Sequence, residues 1–184
     1  MATKAATQIA LTAKDTDNRI IGNDLNNLIT GNAFGIVING GFGNDTINGG
    51  AGDDEIFGDE GKDSINGGAG NDEIYGGEGR DTLTGGDGAD CFVFFNADSL
   101  VRKPDIITDF NKFAGDTLNF GDLVTLAGQW NSADAKAKPP ATIINQAIFD
   151  TAKSTLYVNS DADSAFEFAV VLTGITDFSQ IALI

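Results

Sequence analysis

The chain has 184 residues, with 27 acidic side chains, 11 basic ones, no histidine and a formal net charge of −16. This charge argues against nucleic acid or an anionic membrane surface as a direct partner, and the lack of histidine excludes a Ser-His or Cys-His nucleophile. The length suits a repeat array with a cap and leaves no room for a large enzyme core beside it. We therefore expect a protein that is not an enzyme, binds no nucleic acid and does not insert into a membrane.

Residues 1–21 form a lead-in, or degenerate repeat, ahead of the regular array. Their opening stretch, MATKAATQIALTAKD, has one early lysine but lacks the sustained apolar core of a secretory signal peptide. Any export of the chain must therefore depend on a different targeting signal.

Residues 22–93 repeat every nine residues. The six central nonads read GGFGNDTIN, GGAGDDEIF, GDEGKDSIN, GGAGNDEIY, GGEGRDTLT and GGDGADCFV. Position four is always glycine, position six aspartate and position eight a large apolar residue. Glycines at positions one, two and four allow a positive φ or close backbone packing, so the first six residues predict a turn. The last three alternate polar, apolar and polar, which predicts a very short strand with one inward side chain.

Two nonads make one coil of a flattened solenoid, with a turn at each edge and two stacked parallel sheets. The inward side chains at position eight are Ile29, Ile38, Ile47, Ile56, Ile65, Ile74, Leu83 and Phe92. Because coils stack at the strand spacing of about 4.8 Å, residues two nonads apart become neighbours along one edge. Asp63 then lies between Asp45 and Asp81, and Asp72 lies between Asp54 and Asp90. These carboxylates would repel one another without a counterion.

The stacked aspartates indicate a hard cation. Ca²⁺ accepts about six to eight oxygen ligands in loose geometry, and glycine-rich turns present their carbonyls freely. Mg²⁺ fits less well because it demands near-octahedral geometry, and Zn²⁺ fits worse because the chain has one cysteine and no histidine. The single cysteine also excludes an internal disulfide, so we expect bound metal to stabilise the fold instead.

The nonads resemble the GGxGxDxUx motif of RTX (repeat-in-toxin) proteins, a calcium-binding β-roll. The resemblance implies an all-β, right-handed parallel roll in which each Ca²⁺ lies between adjacent turns of one edge. It assigns carboxylate ligands to Asp45, Asp54, Asp63, Asp72, Asp81 and Asp90. It assigns carbonyl ligands to the turn glycines Gly41, Gly43, Gly50, Gly52, Gly61, Gly68, Gly70, Gly77, Gly79, Gly86 and Gly88. We expect about four to seven calcium ions.

The first two nonads depart from the motif. Asn27 and Ile36 replace aspartate at position six, and Leu25 and Phe34 replace glycine at position four. We interpret these nonads as a coil that extends the apolar core without binding calcium, as terminal repeats of solenoids often do. Asp59 replaces the second glycine of its nonad, and we expect the turn to survive because aspartate tolerates a positive φ.

Residues 94–184 contain several β-rich runs, which predict a mostly antiparallel cap with hairpins near residues 150–155 and 159–165. The stretch DIITDFNKFAGDTLNF, residues 105–120, resembles the segment that follows RTX repeats in serralysin-type proteases and in R-modules of alginate (mannuronan) C-5 epimerases. That resemblance implies that Asp105 and Asp109 complete the last calcium site; acidic residues on a solvated strand end are the alternative. The tail, residues 176–184, resembles an uncleaved type I secretion signal, and it can also form a final strand.

The sequence predicts a non-catalytic calcium-binding module of a bacterial protein. It would pass the type I secretion machinery and fold on Ca²⁺ outside the cell, alone or as the C-terminal part of a larger exported protein. A site with a Kd near 10⁻⁴ M gains about 1.8 kcal/mol at about 2 mM calcium and almost nothing at cytosolic calcium. One alternative is a surface-layer or adhesin terminus. The other is an R-module that binds an extracellular, alginate-like polysaccharide through the basic residues Arg102, Lys103, Lys112, Lys136, Lys138 and Lys153.

Overall fold

The computed structural model describes residues 9–14, 18–95, 104–120, 125–130, 146–159, 168–176 and 178–184, and nearly all their regular structure is β-strand. The first strands are β1 (Ile9–Thr12), β2 (Arg19–Ile21), β3 (Asn27–Asn32), β4 (Val37–Phe42), β5 (Thr46–Ala51), β6 (Glu55–Gly61), β7 (Ser64–Ala69), β8 (Glu73–Tyr75), β9 (Glu78–Gly79), β10 (Thr82–Asp87) and β11 (Cys91–Val93). The later strands are β12 (Asp105–Ile107), β13 (Thr117–Asn119), β14 (Thr125–Trp130), β15 (Gln146–Asp150), β16 (Thr155–Asn159) and β17 (Phe168–Leu172), and a 3-10 helix covers Phe178–Gln180.

The strands form two sheets. One has ten strands in the order β1-β3-β5-β7-β10-β12-β17-β16-β15-β14, and the other has seven in the order β13-β11-β8-β6-β4-β2, with β9 paired to β6. Successive nonads send their strands to alternate sheets, so that Ile47 pairs with Ile29 and Ile65. All pairings between β1 and β11 are parallel. The predicted parallel β-roll of two nonads per coil is confirmed.

The core lies between the two sheets and consists of the position-eight side chains. Their exposed fractions do not exceed 1 %. Ile36, at position six of the second nonad, is also buried at 2 % exposed. One inward side chain per strand therefore suffices to build a continuous apolar column, as predicted.

The C-terminal part of the sheet is mixed instead of mostly antiparallel. β15 pairs with β16 and β16 with β17 in antiparallel fashion, which confirms the hairpin at residues 150–155. β12 pairs in parallel with β10 and β17, and β13 in parallel with β11. β12 and β13 therefore continue the two stacks of the roll, and β14 and β15 form a further parallel pair at the far end of the ten-stranded sheet. The hairpin predicted near residues 159–165 falls on residues 160–167, which lie outside the described residues.

The C-terminal tail packs on the end of the seven-stranded sheet. Leu183 forms a bridge with Leu118, and Ile181 is 3 % exposed. The Lys112 ammonium donates a hydrogen bond to the Ser179 carbonyl at 2.9 Å. The tail thus contributes a single bridge and apolar contacts in place of a full strand. No helix among the described residues has the length and apolar character needed to cross a membrane.

Candidate calcium centre

The position-six aspartates lie in two stacks, one along each edge of the roll. Their exposed fractions lie between 0 % and 2 %. The turn of each nonad carries its aspartate inward, directly before the strand whose position-eight residue enters the core. The carboxylates are therefore buried beside apolar side chains, where an uncompensated charge is costly.

A ladder of hydrogen bonds joins the aspartates of the first edge. The main-chain N–H of Asp45 donates to Oδ1 of Asp63 at 2.7 Å, and that of Asp63 donates to Oδ1 of Asp81 at 2.8 Å. The second edge repeats the pattern, with Asp54 donating to Asp72 at 2.9 Å and Asp72 to Asp90 at 3.0 Å. Each aspartate thus satisfies the amide of the coil before it, as the predicted stacking of residues two nonads apart requires.

Both ladders continue past the repeat. The N–H of Asp81 donates to Oδ1 of Asp105 at 2.8 Å, so Asp105 takes the position-six place in the next coil. On the other edge the N–H of Asp90 donates to Oδ1 of Asp116 at 3.1 Å, and Asp116 is 4 % exposed. Asp116 was missed in the sequence because it follows Asp90 by 26 residues, whereas the repeat spacing is 18. Its local pattern, aspartate followed two residues later by buried Leu118, could have identified it.

Asp109 differs from these aspartates. Its two carboxylate oxygens accept hydrogen bonds from the N–H groups of Gly85 and Gly86, at 3.0 and 2.9 Å. The resemblance implies that Asp109 and Asp105 complete the last calcium site, and in the structure the Asp109 side chain covers the amides at the start of a nonad. Its role as a calcium ligand stays a prediction.

The second carboxylate oxygen of the stacked aspartates is buried and, within the described residues, accepts no hydrogen bond. This holds for Oδ2 of Asp45, Asp54, Asp63, Asp72 and Asp90. Desolvation by burial raises the pKa of Asp54 to about 7, that of Asp63 to about 8 and that of Asp90 to about 6. Repulsion from stacked neighbours adds to the rise. Buried anionic oxygens without a donor are what a bound cation would satisfy.

The glycines at positions two and four expose their carbonyls to the next coil. All eleven glycines assigned above have positive φ, between +91° and +157°. A Cβ on Gly68 would come within 2.1 Å of the Gly50 oxygen, and one on Gly61 within 1.7 Å of the Gly43 oxygen. The space between coils is thus bordered by main-chain carbonyl oxygens. Asp59 has a φ of +70°, which confirms that aspartate replaces glycine in this turn.

Position-one glycines have a separate function that the sequence did not reveal. A Cβ on Gly49 would lie 2.3 Å from Oδ2 of Asp54 and 2.5 Å from the Gly67 oxygen. The same contact recurs in the next nonads, where a Cβ on Gly58 would lie 2.6 Å from Oδ2 of Asp63. Glycine at position one therefore makes room for the carboxylate of its own nonad.

The first coil meets the ladders without an aspartate at position six. The N–H of Asn27 donates to Oδ1 of Asp45 at 2.7 Å, and the N–H of Ile36 donates to Oδ1 of Asp54 at 2.9 Å. The Ile36 side chain joins the core, which agrees with the predicted extension of the apolar column. This coil supplies amides but no carboxylate at position six.

Carboxylates alone do not make a cation site here. Nowhere in the described part of the chain do three or more aspartate, glutamate or cysteine side chains surround one point. A calcium ion between coils would therefore need turn carbonyls together with the stacked aspartates. Both kinds of oxygen border the same edges, so the donor set fits an oxygen-loving cation with loose geometry.

The repeat is shared with known proteins. The family model of the RTX calcium-binding nonapeptide repeat (4 copies) matches residues 37–65 and 57–90. No curated protein matches the chain. Among solved structures, it is similar to the solution structure of the AlgE6R3 subunit from the Azotobacter vinelandii mannuronan C5-epimerase. The identity is 24 %, the match covers 92 % of this chain and 83 % of that chain, and the TM-score is 0.49.

Proposed function

Residues 37–90 of this chain are RTX calcium-binding nonapeptide repeats, and from this premise we propose a non-catalytic module that folds around calcium. The observation that carries the proposal is the row of buried Oδ2 atoms without a hydrogen-bond donor, on Asp45, Asp54, Asp63, Asp72 and Asp90. A metal-free fold would have to keep these groups protonated or tolerate buried repulsion. Calcium removes both costs.

The proposed ions lie between consecutive position-six aspartates. The two ladders supply six stacked pairs, of which the first edge holds Asp45–Asp63, Asp63–Asp81 and Asp81–Asp105. The second edge holds Asp54–Asp72, Asp72–Asp90 and Asp90–Asp116. Carbonyls of the position-two and position-four glycines complete each site. The proposal therefore comprises six calcium ions, within the expected range.

We place the module outside a bacterial cell. Sites with a Kd near 10⁻⁴ M would stay empty at sub-micromolar calcium, and six of them would stabilise the fold by about 11 kcal/mol at about 2 mM calcium. The chain would thus pass a type I exporter unfolded and fold on arrival. Production in a bacterium with such an exporter, with and without residues 176–184, tests this. Equal amounts in the medium would exclude the tail as the signal.

A calcium titration followed by circular dichroism tests the folding proposal. Starting in chelator, the β signal should rise cooperatively with calcium, and calorimetry should count about six ions. Asp72→Asn should shift the midpoint to higher calcium, because it weakens two pairs. Asp87→Asn is the matched control, since Asp87 is exposed and belongs to neither ladder. A full β signal in chelator would refute the proposal.

The two alternative functions make different demands on the cap. Of the six basic residues considered above, Lys112 and Lys153 lie in the described part of the chain. Lys112 donates to the Ser179 carbonyl, and Lys153 lies 3.6 Å from the Asp150 carboxylate. The other four lie outside the described residues. Calorimetry with alginate oligomers in calcium would detect polysaccharide binding, and calcium-dependent oligomers in light scattering would favour a surface-layer role.

A further inference from the structure

The outer faces of the two sheets carry different side chains at the same positions of the repeat. At position nine the seven-stranded sheet has Asn39, Phe57, Tyr75 and Val93 in register. The ten-stranded sheet has small polar residues at this position, namely Thr30, Asn48, Asn66 and Thr84. The β-roll therefore does not require aromatic rings there, and their presence needs another reason.

Position three differs in the same way. The row beside the seven-stranded sheet contains Phe42, Glu60 and Glu78, which pair in register. The corresponding residues of the other sheet are Ala33, Ala51, Ala69 and Asp87. At position three, one face of the roll thus carries phenylalanine and glutamate side chains, while the smaller alanine and aspartate occupy the equivalent positions opposite.

These two rows border a groove across the coils. The rings of Phe57 and Tyr75 stack with centroids 4.5 Å apart, and Phe95 extends the row at 5.8 Å from Tyr75. Between the aromatic row and the Phe42, Glu60 and Glu78 row runs position two, where Gly41 and Gly77 contribute no side chain. The result is a groove of about 380 Å³. Phe42 and Phe95 are more than half exposed at its ends.

The groove is acidic as well as aromatic. Among the described residues, its lining includes the side chains of Asp59, Glu60 and Glu78 and no basic residue. The Asn39 amide donates to the Asp59 carboxylate, and the two glutamates supply the other negative charges of the groove. Within the described residues no lysine or arginine lies within salt-bridge distance of Glu60 or Glu78. The proposed calcium ligands are position-six carboxylates and turn carbonyls, so calcium does not consume these two side chains.

We propose that this groove, bordered by Phe57, Tyr75 and Phe95 on one side and by Glu60 and Glu78 on the other, binds a basic peptide segment of a partner protein. Arginine suits the groove best, because its aliphatic stem can pack on the aromatic row while its planar guanidinium group reaches a carboxylate. The charge of the groove disfavours an acidic ligand. A site of this kind is distinct from the calcium ladders and adds a partner surface to the module.

Calorimetry with N-acetylated triarginine amide, at millimolar calcium where the roll is folded, tests the proposal. Glu60→Gln/Glu78→Gln should weaken binding about tenfold, because two charge-assisted contacts are lost. Asp53→Asn/Asp87→Asn removes the same charge from exposed positions outside the groove and should change the affinity less than about twofold. Addition of triarginine should also shift the ring proton resonances of Tyr75.

A second pair of substitutions uses residues that the roll already accepts. Phe57→Asn and Tyr75→Thr introduce the residues found at position nine of the other sheet, so the calcium midpoint in circular dichroism should stay the same. Triarginine binding should be lost. If the groove variant and the control charge variant weakened triarginine binding equally, the net charge of the protein alone would explain the effect. That result would overturn the proposal. Binding of neutral cellotriose in place of triarginine would overturn it too.

Discussion

The repeat and the C-terminal sheet share two stacks of strands but are stabilised differently. In residues 40–93 each nonad buries its position-eight apolar side chain and its position-six carboxylate. Beyond residue 104 the core includes the buried side chains of Phe110, Phe120, Phe149 and Leu156, while among the described residues only Asp105 and Asp116 continue the ladders. The comparison indicates that the repeat depends on an ion, whereas the C-terminal sheet relies more on apolar burial.

Calcium removal should produce the largest difference in stability between the two regions. Six sites of the expected affinity contribute about 11 kcal/mol at about 2 mM calcium. In chelator, amide hydrogen exchange of the roll, for example at the N–H of Asp63 and Asp72, should become unprotected. Exchange in the β15–β16 hairpin should accelerate less. Equal acceleration in both regions would show that they unfold as one unit.

Two glycine-to-alanine substitutions, one in each region, compare how tightly the regions are packed around a glycine. Gly49→Ala places a methyl group against the Asp54 carboxylate and the Gly67 carbonyl, and should cost about 3 kcal/mol or more. Gly174→Ala meets nothing within 4 Å and only strains a φ of +83°, at a cost of about 1 to 2 kcal/mol. Urea denaturation in calcium measures both. Similar losses would contradict the tight packing of carboxylate against position one.

Substitutions within one ladder sharpen the comparison between its middle and its edge. Asp63→Ala removes a member of two stacked pairs and should cost about 3.6 kcal/mol at about 2 mM calcium, against about 1.8 kcal/mol for Asp45→Ala. Asp45 belongs to one pair because Asn27 precedes it. The calcium midpoint and the denaturation midpoint should rank the variants alike. Asp45→Ala costing as much as Asp63→Ala would imply that Asn27 also holds calcium.

At the junction between the regions, Asp116→Ala and Asp109→Ala should differ in the calcium count. Asp116 completes a stacked pair with Asp90, so its loss should lower the stoichiometry by one ion. Asp109 uses both oxygens on the amides of Gly85 and Gly86, so its loss should lower stability by about 1 to 3 kcal/mol and keep the count. Calorimetry distinguishes them. A lower count for Asp109→Ala would confirm it as a ligand.

Acidity should act on the repeat in opposite directions with and without calcium. The pKa of Asp54 is raised to about 7 and that of Asp63 to about 8 by burial, so protonation favours the metal-free roll. This stabilisation is complete below about pH 4 and is lost as the pH rises through 7 and 8. In chelator the β signal should therefore increase on acidification from about pH 8 to about pH 5.

In calcium the same change should raise the calcium midpoint, because protons compete with the ion for the carboxylates. Asp87→Asn serves as a control that leaves both trends unchanged. A calcium midpoint independent of pH between about 5 and 8 would mean that these carboxylates are ionised in the metal-free state.

The regular part of the fold was predictable from the sequence because its period is local. The nine-residue repeat identified the inward isoleucines and the stacked aspartates, and the residue type predicted that Asp59 tolerates a positive φ. Asp116 was not predicted because the spacing changes after the repeat. The next carboxylate follows Asp81 by 24 residues and Asp90 by 26 residues. The mixed sheet depends on pairing between β12 and β17, which lie far apart in the chain and share no repeat.

The alternation of strands between two sheets has a consequence for how such arrays can change length. Neighbours along an edge are 18 residues apart, which is two nonads. Insertion of two nonads would lengthen both ladders and return β12 and β13 to the same sheets. Insertion of one nonad would move every later strand to the opposite sheet and split the stacked rings of Phe57 and Tyr75, if placed between them. The array can therefore gain or lose nonads only in even numbers if the later strands are to stay in the same sheets.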